Sequence, residues 1–239
     1  MEVRDGFIVG VFNYCDRWCE TCAFTARCRL FADVAEIEAK LDPHLKAVVD
    51  APPLPEEAPP PPPKWMQEWI DEMNEATRDA EPHEELPRRR QPPADHQAIE
   101  ARADEYHTRA YAWLHGRSWS SHDVHDPCAV ICWFHMQIMI KVHRAVHALV
   151  EEIEDNRDAP RDSDGSAKVA LLGIDRSHAA WLDLVERGVI TRVEVEPFIA
   201  DLVWLGESLE RVFPKARAFV RPGLDEPDQV SRLIAQEGG

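Results

Sequence analysis

Eight of the chain's nineteen prolines fall in "APPLPEEAPPPPP", residues 51 to 63. Proline lacks a backbone N–H and fixes φ, so this run excludes helix and central strand and predicts an extended polyproline II spacer. It sets residues 1–50 apart from the rest. A second polar, proline-punctuated stretch, "DAEPHEELPRRRQPPAD" (79–95), extends the linker to residues 51–95. Inside that linker "KWMQEWIDEMNEATRD" gathers Trp65, Met66, Trp69, Ile70 and Met73 on one helical face against an acidic one. The pattern predicts a helix over about 64–78 that packs on its own protein or docks in a partner's groove.

Beyond the linker the apolar spacing is that of long helices, so residues 96–214 are expected to form an antiparallel bundle of about four. The first helix, "QAIEARADEYHTRAYAWLHG", is closed by Gly116. The second starts at Asp126-Pro127, a cap followed by proline at the first helical position, and is apolar nearly all round its first half. The third follows the loop "NRDAPRDSDG" and ends at Gly188. For the fourth, Thr191 and Glu194 spell a capping box, but Pro197 would then fall inside the helix, which favours a start near Pro197. Residues 215–239 form a tail in which Phe219 and Val220 could lie against the helices. Before the spacer, Val34, Ile37, Leu41, Leu45 and Val48 mark one amphipathic helix, or two divided at Asp42-Pro43. The fold class is therefore mainly α, with an N-terminal cysteine loop and a Pro-rich linker.

The formal net charge is −17, which repels phosphate backbones and makes nucleic acid an unlikely partner. The run Arg88, Arg89, Arg90 sits between glutamates and prolines and reads as a solvated loop. No stretch reaches the about 18 apolar residues of a membrane span, and the N-terminal apolar run is too short for a signal-peptide core. A cytoplasmic protein without a membrane association is expected, and in a reducing compartment clustered cysteines lean away from disulfides.

Four of the six cysteines, Cys15, Cys19, Cys22 and Cys28, fall within "NYCDRWCETCAFTARCRLF". The spacing C-x3-C-x2-C-x5-C lets one short segment surround a metal centre with four thiolates, whose deprotonation the metal enforces. Arg17, Arg27 and Arg29 would offset the charge of such a centre, and Trp18, Phe24 and Phe31 would shield it. Structural zinc sites use paired knuckles about a longer loop, whereas only Cys19 and Cys22 form a knuckle here. Uneven spacing in one segment is closer to how an iron-sulfur cluster is held, so that cofactor leads and zinc follows. The segment Cys19 to Cys28 resembles part of the auxiliary-cluster pattern of SPASM-type radical SAM maturases. Cys15, Cys19 and Cys22 are similar in spacing to the motif of radical SAM enzymes themselves, although the chain lacks that family's strand-helix repeats.

The remaining metal-capable residues are dispersed. Cys128 and Cys132 share a helix face with His135 close by, His107 and His115 lie on the first long helix, and His143 and His147 on the second. Asp175 and His178 stand three apart on the third, and His122, Asp123, His125 and Asp126 precede the second. The layout resembles di-iron carboxylate proteins in architecture but lacks their paired Glu-x-x-His motifs. The expectation is a metal-binding helical protein, with iron-sulfur chemistry serving electron transfer, redox sensing or an accessory subunit, and a protein partner. The alternatives are a zinc-stapled interaction protein and an oxidoreductase with a His/carboxylate metal site among the helices.

Overall fold

The computed structural model describes residues 2–49, 62–78, 91–116, 126–155 and 162–226. Most of the proline spacer, the Arg88–Arg90 run and the loop carrying His122, Asp123 and His125 lie outside them. The protein is mainly α, with six α-helices and one two-stranded sheet among the described residues. By internal contacts it divides into two units, residues 1–33 with 92–239, and residues 34–91. No helix is long and apolar enough to cross a membrane among the described residues.

In the larger unit, β1 (Val3–Arg4) and β2 (Phe7–Ile8) pair antiparallel with Val3 opposite Ile8. The turn between them is Asp5-Gly6, with φ of 52° and 79°. Two left-handed residues in a two-residue loop match the right-handed strand twist, which is why Asp-Gly builds this hairpin. The hairpin is a small addition within the expected mainly α fold.

The helical body consists of α3 (Ala94–His115), α4 (Pro127–Asp155), α5 (Asp162–Glu186) and α6 (Arg192–Val212). Helix α4 packs on α3 and α5, and α6 packs on the same two partners' other sides, so each helix touches two neighbours. Gly116 closes α3, and the Asp126 carboxylate accepts from the Cys128 N–H at 2.9 Å to open α4, as the cap-then-proline signal requires. Trp181 is fully buried, stacked on Phe198 at 4.1 Å and met edge-on by Trp113. Its indole N–H donates to the Tyr106 hydroxyl at 3.2 Å, so this large side chain buries no unpaired donor.

Two helix starts differ from expectation. Helix α5 begins at Asp162 rather than near Ser166, and Asp162 and Asp164 in its first turn complement the positive end of the helix dipole. Helix α6 begins at Arg192, and Pro197 lies inside it. The capping box prevails: the Glu194 N–H donates to Thr191 Oγ1 at 3.2 Å and the Thr191 N–H donates to Glu194 at 2.9 Å. Two end donors are thereby satisfied, against one bond lost at Pro197 to the carbonyl of Val193, a residue 78% exposed on the solvent side.

After α6 the chain turns back along α5. Ala216 is fully buried, Phe219 meets Tyr14 edge-on at 4.8 Å, and Val220 stays exposed. Asp225 closes this segment on Arg221 at 2.8 Å and Lys168 at 2.8 Å. Burial raises its pKa, but the hydrogen bonds from Arg221 and Lys168 outweigh that and hold the carboxyl well below the usual range.

The smaller unit contains most of α1 (Arg29–Val49) and all of α2 (Lys64–Arg78). Helix α1 runs unbroken through Asp42-Pro43, the single-helix form of the expectation. In α2 the acidic face carries pairs one turn apart, Gln67 with Asp71 and Lys64 with Glu68, while Trp69 and Met73 on the apolar face are 56% and 51% exposed.

Candidate metal centre

Short turns bring the four N-terminal cysteines around one small pocket. Single turns of 3-10 helix at Cys19–Thr21 and Thr25–Arg27 follow a reversal at Arg17, whose φ is 61°. A left-handed backbone at a residue with a Cβ costs about 1–2 kcal/mol and persists where its surroundings hold it. Here it directs the Arg17 N–H at the Cys15 sulfur. Cys15, Cys19, Cys22 and Cys28 all line the resulting pocket, closed by Phe12, Phe24, Phe31 and Leu224. None is in a disulfide. The Phe24 N–H donates to Cys22 Sγ at 3.4 Å, a second backbone donor aimed at a sulfur.

The electrostatics of the loop ask for a cation. Burial pushes the Cys15 thiol up in pKa, and the Arg17 N–H and guanidinium work against it. Burial also raises Cys19, and the negative charge on Cys15, Cys22 and Cys28 raises it further. Four thiolates this close repel one another, and a bound metal is what lets all four ionise together. The donor set therefore fits a tetrathiolate centre, and no carboxylate competes for the role. Asp16, the one acid in the lining, is occupied: its carboxylate accepts from the Trp18 N–H at 3.2 Å and from Arg176 at 2.6 Å.

The loop is docked on α4 and α5 at several points. Trp18 stacks on Trp133 at 5.5 Å, and the Trp133 indole N–H donates to the Asp16 carbonyl at 2.8 Å. Lys141, buried on α4, donates to the Asn13 carbonyl at 3.2 Å. Burial pushes its pKa down to about 8, with Arg144 adding in the same direction and Cys15 opposing. The Tyr14 ring packs against Gly165 at the start of α5, where a larger side chain would have no room.

The other metal-capable residues divide. Cys128 and Cys132 are half-buried against the core, and burial raises the Cys132 thiol. His135 does not join them: its Nδ1 faces His107 Nδ1 at 2.8 Å with the rings stacked, and burial foremost lowers its pKa to about 4. Asp175 is taken by Arg217 rather than by His178. Glu100, His143 and His147 do converge, with ligand atoms all within 4.8 Å of one another, and among the described residues they are the one such group of three. Sequence spacing missed this group because its members come from different helices; the signal was a Glu100/Asp104 pair and a His143/His147 pair, each one helical turn apart.

No protein-family model matches the chain, and neither a curated protein nor a solved structure matches it significantly.

Proposed function

We propose that Cys15, Cys19, Cys22 and Cys28 hold an iron-sulfur cluster, and that the protein serves electron transfer or redox sensing as a cytoplasmic accessory subunit. The observation that carries this reading is that four unevenly spaced thiols of one short segment all line one pocket. A cluster is larger than an ion and takes wider-set thiolates, and backbone donors such as the N–H groups of Arg17 and Phe24 are what tunes its potential.

A zinc-stapled interaction protein is the second reading, favoured by the pocket's volume of about 20 Å³, room for one small ion. In either case α3 to α6 serve as an antiparallel four-helix bundle that carries the centre. The exposed Trp69 and Met73 of α2 supply an apolar face for a protein partner.

Anaerobic purification followed by iron, sulfide and zinc analysis decides between the two. The expected result is iron with acid-labile sulfide and a broad visible absorption that bleaches on reduction, lost in Cys19→Ser and Cys22→Ser. Zinc at one equivalent with neither iron nor sulfide overturns the redox reading in favour of the staple.

A further inference from the structure

We propose that Glu100, His143 and His147 form a second metal site, a His2Glu centre for a divalent ion of the zinc type, independent of the cysteine loop. Glu100 and Asp104 lie one turn apart on α3, and His143 and His147 one turn apart on α4, which packs against it. Glu100 is 8% exposed, and its Oε1 is out of contact with solvent. His143 Nδ1 stands 3.1 Å from this oxygen and His147 Nε2 stands 3.2 Å from it.

Those distances suit hydrogen bonds, yet Oε1 has no hydrogen-bond partner, because the directions are wrong. Atoms that crowd one another without pointing at one another are what a common ligand between them requires. Around a tetrahedral ion held at about 2.0–2.2 Å, neighbouring ligand atoms stand about 3.3–3.6 Å apart, so a small outward shift of both imidazoles from Oε1 would admit one. A buried carboxylate oxygen without a hydrogen bond carries a desolvation penalty that a bound cation would offset.

A fourth residue supplies the support such a site needs. His143 Nε2 lies 2.9 Å from Asp104 Oδ1. With the proton held on Nε2 by this carboxylate, the Nδ1 lone pair is left for the metal, the carboxylate-histidine-metal arrangement that fixes tautomer and raises ligand basicity. His143 and His147 are each about one-third exposed on their outer sides, so the three-ligand ion keeps an open position toward solvent. That is the form of a catalytic or exchangeable site rather than a closed structural one.

The test uses the full chain with its cysteine loop intact. Co²⁺ is titrated into wild type and into Glu100→Gln, His147→Ala and Asp104→Asn, with the optical spectrum separating thiolate charge-transfer bands from the weak visible bands of N/O-bound cobalt. The expected result is one N/O-type cobalt per wild-type chain, displaced by Zn²⁺. It should be lost in Glu100→Gln and His147→Ala, and weakened about 10–100-fold in Asp104→Asn, with the thiolate bands unchanged in all three. Asp104 is half exposed and outside the three ligands, so its variant guards against a mere folding defect. Wild type without the N/O-type signal, or variants that keep it at full affinity, would overturn the site and leave an ordinary histidine-glutamate ion pair.

Discussion

Three glycines inside helices differ in what a methyl group would meet, and the difference predicts three different outcomes for the same substitution. Glycine to alanine in a helix interior gains up to about 1 kcal/mol from backbone propensity alone. At Gly206 on α6 the new Cβ would lie 3.8 Å from Ile174 Cγ2, an ordinary contact, so Gly206→Ala should stabilise by about 0.5–1 kcal/mol. At Gly173 on α5 it would lie 3.1 Å from both Ile138 Cγ1 and Phe134 Cδ1, which must each yield slightly. The propensity gain is then roughly cancelled, and Gly173→Ala should sit within about 1 kcal/mol of wild type. At Gly165 the Cβ would overlap the Tyr14 ring and come within 2.9 Å of Phe219 Cζ. Neither aromatic can yield without leaving α5, so an overpacking cost of about 1–3 kcal/mol outweighs the gain and Gly165→Ala destabilises. Equilibrium urea unfolding of the three variants reads these signs, and each kcal/mol should move the melting temperature by about 2–4 °C. Because Tyr14 precedes Cys15, Gly165→Ala should also release metal to a chelator faster than wild type does. A Gly165→Ala protein as stable as Gly206→Ala would refute the docking of the cysteine loop on α5.

Two further predictions concern charges in the helical body. His135 is held neutral by burial first and by His107 and His115 second, with its pKa lowered to about 4 against about 6.5 in the unfolded chain. The unfolded state therefore binds the extra proton first as pH falls, and stability present above pH 6.5 should drain away down to pH 4, by ~2 kcal/mol after allowing for solvent screening. Unfolding midpoints across that window should slope less in His135→Phe, and an unchanged slope would remove the argument. Asp201 on α6 is 3% exposed and joins both Arg102 and Arg109 of α3. Asp201→Asn keeps its shape but strips the charge that both guanidiniums face, and a loss of about 2–3 kcal/mol in urea unfolding is expected, with a value near zero counting against the pairing.

The signals legible in the sequence were those that act within a few residues. Asp126-Pro127 opens α4 and Gly116 closes α3 because a cap needs only its own helix end. Locality also explains two of the departures. At α6 the proline rule and the capping box conflicted, and the rule that lost was the one whose cost fell at an exposed residue, Val193. The Asp5-Gly6 hairpin carried its own turn signal, but its two-residue strands are too short to show an alternating pattern. The cysteine spacing marks a candidate centre because all four thiols lie in one short segment, which the structure gathers around one pocket. Glu100, His143 and His147 were silent because their meeting depends on the rotational phase of two packed helices, which no local pattern states.

Helix α4 shows why its sequence is apolar nearly all round. Lys141 and His143 are two residues apart, hence about 200° apart around the axis. Lys141 points at the cysteine loop and donates to Asn13, while His143 points at α3 and meets Glu100. Between these polar contacts, Phe134, Ile138, Val142 and Val146 are buried against the neighbouring helices. Met136 and Ile140 keep one side of α4 at the surface, while its two buried polar side chains, His135 and Lys141, each have a partner. Lys141 and His143 are thus signs of what lies on either side. The lysine keeps a cation beside the thiols at the cost of a lowered pKa, and the histidine keeps a lone pair beside a buried carboxylate. The two candidate centres share this one helix as scaffold, and each can be lost without unpacking the other, because they occupy opposite faces of it.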